Sequence, residues 1–136
     1  MARPLAYITA VWSDEPHEAK EEALRFSRQV YDAGYSPICP MLMYMGLLKD
    51  NIPKEFKDKQ DMSLELLRRC RILVVCGNDT DESMKTDIAM AKKYHIAATT
   101  LDGILILSIL VDTFSSRISL TMPPSPKPHN TACVLS

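Results

Sequence analysis

Residues 71–95, RILVVCGNDTDESMKTDIAMAKKYH, hold one strand, one polar loop and one helix in a single stretch, and their reading decides the fold. Arg71-Ile72-Leu73-Val74-Val75-Cys76-Gly77 is a short β-branched run, apolar on both faces, as in strands buried inside parallel sheets. Asn78 to Glu82 is turn-forming, with Asp79 or Asp81 placed to cap the helix that follows. On that helix Met84, Ile88, Ala91 and His95 recur at helical spacing, and Asp87 falls on the same stripe. Spacing alone favours a solvated Asp at the edge of the stripe. A carboxylate near a helix start, just beyond the C-terminal end of a parallel strand, nevertheless stands where open α/β sheets place their ligands.

The flanking sequence alternates in the same way. Leu5 to Val11 reads as a first strand, with Tyr7, Ile8 and Val11 as its bulk. Ser13-Asp14-Glu15-Pro16 is a helix start: capping side chains, acids for the first turn, and a proline whose missing N–H costs nothing there. That helix runs to about Ala33 with Ala19, Ala23, Phe26 and Val30 inward, and Gly34 supplies a left-handed stop. Tyr35 to Cys39 is a second strand, cut short by Pro40. Met41 to Asn51 reads as a Met-rich connection, before Pro53 opens a helix through Phe56, Leu64, Leu67 and Cys70. After the stretch that opens this section, His95 to Leu101 gives a fourth strand, and Ile104 to Ile118 a last helix. The order β-α-β-α-β-α-β-α predicts an α/β domain over residues 1–120: a parallel sheet with helices on both faces, flavodoxin- or Rossmann-like.

Size and composition exclude several classes. The 136 residues suit one domain, and 16 Lys and Arg against 17 Asp and Glu leave no strong field to attract nucleic acid. Cys39, Cys70, Cys76 and Cys133 show no CxxC or Cys/His spacing; Cys70 and Cys76, in apolar segments, read as small core residues. His17, His95 and His129 are scattered, so neither a metal nor another cofactor is expected. MARPLAYITAVW is too short and too poorly flanked for a signal peptide, and Gly103 to Val111 is about half a membrane span. A soluble protein of the reducing cytoplasm, without a membrane partner, is the expectation.

Residues 121–136 differ. Pro123, Pro124, Pro126 and Pro128 among polar residues predict an extended, disordered tail. Its last four residues, Cys133-Val134-Leu135-Ser136, have the form of a prenylation box, but Lys127 is the sole cation upstream within the tail, and we read the match as coincidence.

Two segments together resemble a family. Tyr7-Ile8-Thr9-Ala10-Val11-Trp12 is similar to the first strand and loop of nucleoside 2-deoxyribosyltransferases, and Asp81 to Ala91 resembles their loop-helix motif. Ala33-Gly34-Tyr35-Ser36-Pro37-Ile38-Cys39-Pro40 and Leu66-Leu67-Arg68-Arg69-Cys70 are similar to segments of small prokaryotic and phage relatives of that fold. The resemblance spans residues 5–101. It implies that Asp87 stands where those transferases carry the Glu that attacks the anomeric carbon and holds the sugar covalently. An adjacent carboxylate suits that role because it stabilises and then traps an oxocarbenium-like centre. By the same resemblance Asp81 protonates or positions the leaving base, and Tyr7, Thr9, Trp12, Ser83, Met84 and Arg71 are candidates for contact with a nucleoside or nucleotide. It further implies a homodimer or higher homo-oligomer, since related transferases complete their sites across subunits.

Three departures bear on catalysis. Asp87 replaces Glu and retracts the carboxylate by one bond, a displacement that can cost ~100-fold in rate. Ser83 replaces a Gly that lets the backbone approach a ligand. Arg71 stands where relatives carry Asp; a cation there donates no proton but can pair with a phosphate or with Asp87. Other residues have plain readings as well: Trp12 as base stack or packed core, Tyr7 as core unless its hydroxyl reaches the pocket, and Met41, Met43, Tyr44 and Met45 as pocket wall, oligomer contact or core filling. The run KEFKDKQD at 54–61 reads as a solvated helix face. Three functions follow as expectations: a nucleoside or nucleotide binder with N-glycosidic chemistry through Asp87, a catalytically inactive nucleotide sensor or sequestering protein, and an interaction module of a mobile element. The apolar run Ile104 to Val111 is the expected self-association surface.

Overall fold

The computed structural model describes residues 3–11 and 15–106. Four strands, β1 (Leu5–Thr9), β2 (Ser36–Ile38), β3 (Ile72–Val75) and β4 (Ala97–Thr100), form one parallel sheet in the order β2-β1-β3-β4. The helices between them are α1 (Pro16–Asp32), the short α2 (Pro40–Tyr44), α3 (Pro53–Arg69) and α4 (Glu82–Lys93), and residues 101–106 are again helical. This is the α/β architecture expected from the alternating pattern.

The two-residue period of the strands explains why both faces are covered. Ala6 and Ile8 of β1, with Ile72 and Val74 of β3, pack on Ala19, Ala23, Phe26 and Val30 of α1. Their neighbours Tyr7 and Leu73 point the other way and meet Leu67 of α3 and Ala91 of α4. Ile72, Leu73, Val74 and Leu67 are fully buried, each stabilising the fold by roughly 1.5–3 kcal/mol. Register fixes the layers: Ala6 stands beside Pro37 on one side and Ile72 on the other, and Ile72 beside Ala97. From β1 the chain steps outward to β2, then crosses back past β1 to β3. α1 therefore covers one face, joined there by Met41 of α2 and by Leu101 and Ile104, while α3 and α4 cover the other, and the strand ends part between β1 and β3.

Local chemistry sets the boundaries. Pro16, Pro40 and Pro53 each stand in the first helical turn, where no N–H is required. Glu15 is the α1 cap and accepts a long hydrogen bond from His17 N–H at 3.5 Å. Gly34 has φ +101 and ends that helix as expected. The stretch after β2 is not only a connection: Pro40 starts α2 and turns Met41 and Tyr44 into the core, leaving Met43 at the surface. His95 is likewise not on the α4 stripe. It lies beyond the C-cap Tyr94 at φ 58, a left-handed residue that redirects the chain into β4. The final helical residues start at Leu101, three before Ile104; Ile104 is buried and Ile106 exposed.

Cys39, Cys70 and Cys76 are buried and free, as their apolar settings suggested for the latter two. Among the described residues no helix is long and apolar enough to cross a membrane. Trp12, the apolar residues Leu107 to Val111, the tail 121–136 and Cys133 lie outside the described residues.

Candidate active site

β1 delivers Thr9 to the C-terminal edge of the sheet, where it is buried. Its hydroxyl donates to Asp87 Oδ2 at 2.8 Å. The partner comes from α4, whose start is fixed by Asp81: the Oδ1 of that cap accepts the Met84 N–H at 2.9 Å. With the cap set, the helical turn carries Asp87 back over the end of β1. Residues 78 positions apart thus meet at the parting of β1 and β3.

Burial is the main influence on Asp87. It pushes the carboxyl up to about 6, the negative charge of Asp81 adds to that, and the Thr9 hydrogen bond opposes it. A carboxyl so placed is mainly ionised at neutral pH but keeps a protonated fraction, so it can act as nucleophile or exchange a proton. Tyr7, two residues before Thr9 and on the same face of β1, is also driven upward, first by burial and then by the charge on Asp87, against a hydrogen bond with Ser63 of α3. Its phenol stays protonated throughout the physiological range.

These groups line a cleft of about 700 Å³, within the usual size of small-molecule sites. One wall is the end of β1, Tyr7 to Ala10; a second is the start of α4, with Asp81, Glu82, Ser83, Thr86 and Asp87. The remainder comes from Cys39, Pro40 and Met41 after β2 and from the face of α3. On that face Lys59 is only 13% exposed, forms an ion pair with Asp50, and lies over the Phe56 ring at 5.5 Å.

The sequence-derived candidates divide accordingly. Asp87, Asp81, Tyr7, Thr9 and Ser83 come together around the cleft. Met84 does not: it is fully buried beneath α4, and it serves the site only through the backbone N–H that Asp81 caps. Arg71 does not either. It precedes β3, where its N–H donates to Leu5 O at the N-terminal edge of the sheet. The four residues of β3, at roughly 3.3 Å each, separate it from the carboxylate, so pairing with Asp87 is excluded. Met41 combines two of its expected roles, core filling and cleft wall.

The reading of 54–61 as a solvated face also needs correction. Lys54 and Lys57 do project into solvent, at 84% and 75% exposure, but Lys59 and Gln60 line the cleft. The signal was available: Phe56, Lys59, Gln60 and Ser63 recur at i, i+3, i+4 and i+7, and all four line the cleft. Charge density in the run obscured it. Among the described residues no group of three or more His, Cys, Asp or Glu side chains is arranged to hold a metal ion.

No curated protein matches the chain. A family model does, described as a domain of unknown function (DUF7768), and it covers residues 4–101. That span runs from the start of β1 through β4 and takes in all residues that line the cleft. Sheet, both helical layers and cleft therefore fall inside one family unit, and the chain belongs to the DUF7768 family.

Proposed function

We propose that the protein binds a nucleoside or nucleotide in this cleft and acts on its N-glycosidic bond through Asp87. The observation that carries the reading is the Thr9–Asp87 pair: a half-buried carboxylate, oriented by a neutral hydroxyl, at the mouth of an α/β strand parting. In that chemistry Asp87 Oδ attacks the anomeric carbon as the base departs, and water or another base releases the sugar from the ester. Thr9 holds one carboxylate oxygen and so presents the other. Incubating the protein with deoxynucleosides and their 5′-monophosphates and following free base by chromatography tests this. Base release that Asp87→Ala abolishes without changing the circular dichroism supports it; no release from any member of the panel refutes the catalytic part.

The shorter carboxylate favours a second reading, a binding protein without turnover. Asp87 sits one bond farther from the cleft than a Glu would, and its Oδ2 is engaged by Thr9. Ligand-induced increases in melting temperature without base release distinguish this form. For assembly we propose a homodimer through the helix beginning at Leu101, because Ile106 is 59% exposed at the start of an apolar run. Light scattering over a dilution series decides it: a monomer at every concentration removes the dimer.

A further inference from the structure

Charge divides the cleft unevenly. Among the described residues that line it, Asp50, Asp61, Asp81, Glu82 and Asp87 are acidic, and Lys59 is the one basic side chain. Lys59 is committed to Asp50 and packed over Phe56 on the α3 wall. Asp61 and Glu82 meet Lys57 and Lys85 at 3.3 Å in solvent-exposed pairs, which hold little energy. At the reacting end the Asp81 and Asp87 carboxylates oppose one another, and what orients Asp87 is a neutral hydroxyl. A phosphate brought there adds repulsion; a positive centre relieves it.

Proton supply points the same way. A neutral base must collect a proton as it leaves the sugar, and the neighbours of Asp87 are poorly placed to give one. The Thr9 hydroxyl proton is directed to Asp87 Oδ2, the Asp81 Oδ1 is occupied as acceptor of the Met84 N–H, and the buried Tyr7 phenol holds its proton more tightly than an ordinary phenol. A base that is already cationic needs no proton, because it takes both electrons of the glycosidic bond and departs neutral.

Building on the function proposed above, we infer that the preferred ligand is an unphosphorylated N-glycoside with a positively charged base, of the N-substituted pyridinium or N7-alkylated purine type. The C1′–N bond breaks with its electron pair going to the base nitrogen, and an Asp87 oxygen forms a C1′–O ester. Water then cleaves that ester, giving the free sugar, the regenerated carboxylate and one proton released to solvent.

The test uses the full chain and a series that varies charge at nearly constant shape: nicotinamide riboside, its uncharged reduced form, and the corresponding 5′-mononucleotide. Melting-temperature shifts should fall in that order, with apparent affinities separated by about tenfold per step, and should converge in 0.5 M salt as screening grows. Free nicotinamide should accumulate from the riboside. Asp81→Asn, which retains a capping side chain, should weaken the cationic riboside several-fold and the uncharged form by less, so that the ratio of the two affinities falls. Equal or tighter binding of the uncharged form or the mononucleotide overturns the charge preference, while base release from neutral deoxynucleosides in the same assay leaves the proposed function standing. Neither a shift nor free base from any N-glycoside overturns both.

Discussion

Replacing Asp87 by Asn should stabilise the protein, and only above a definable pH. In the folded chain burial raises the carboxyl from its ordinary 3.8 to about 6. The folded state therefore holds this proton more tightly than the unfolded chain does. Well below pH 3.8 both states are protonated and burial of the neutral acid carries no electrostatic cost. As pH rises towards 6 the unfolded chain releases its proton first, so stability falls, and the loss is complete once the folded carboxyl has also ionised. The interval between 3.8 and about 6, at 1.36 kcal/mol per pH unit, corresponds to about 3 kcal/mol. Asn removes the ionisation while its amide oxygen can still accept the Thr9 hydroxyl. The variant should come close to the parent at pH 3.5 and melt about 14 °C higher at pH 8, the shift expected for a domain near 100 residues. Thermal denaturation followed by circular dichroism, with both proteins run at half-unit steps from pH 3.5 to 8, measures it. A difference that is flat with pH, or that grows towards acid, would refute the claim that desolvation governs this group.

Other expectations follow from the same geometry. Thr9→Val removes the donor to Asp87 while keeping the volume; the loss of a hydrogen bond to a charged group should cost roughly 1.5–3 kcal/mol at pH 8 and less at pH 4, and the Asp87 titration should move above 6, as side-chain carbonyl NMR can follow. Asp81→Ala should cost about 1 kcal/mol through the lost α4 cap, with a lower urea midpoint, whereas Asp81→Asn should not. Burial pushes the Cys70 and Cys76 thiols up to about 12 and raises that of Cys39 too, so mass spectrometry after iodoacetamide at pH 8 should find all three unmodified until denaturant is added.

The sheet was legible because its determinants are local. Ile72 to Val75 is apolar at every position, and no antiparallel, half-exposed strand tolerates that pattern; the three helix-opening prolines and Gly34 mark boundaries by covalent geometry alone. Asp87 was legible as a carboxylate on an apolar stripe just past a strand. Arg71 was legible as well: it precedes β3, and in a parallel sheet the start of every strand lies on the edge away from the cleft, so the resemblance rather than the strand pattern drew it to the site. The cleft face of α3 was hidden because Lys59 reads as one more solvated charge. Its burial follows from the Phe56 ring one turn earlier, which helical spacing does encode, and from Asp50, which approaches from the loop between α2 and α3 and which that spacing does not.

The register of β2 has a consequence for solubility. The Ser36 N–H donates inward to Pro4 O, so in the alternating backbone the nitrogen of Pro37 faces away from β1, where it has no hydrogen to offer. In a strand of three residues, that is the single nitrogen turned to the outside. A foreign strand arriving at this margin finds no donor in Ser36-Pro37-Ile38 to pair with, so the edge resists the strand-by-strand accretion through which unprotected sheets aggregate. One proline thus guards this margin of the sheet, where β2 ends the order of the described strands.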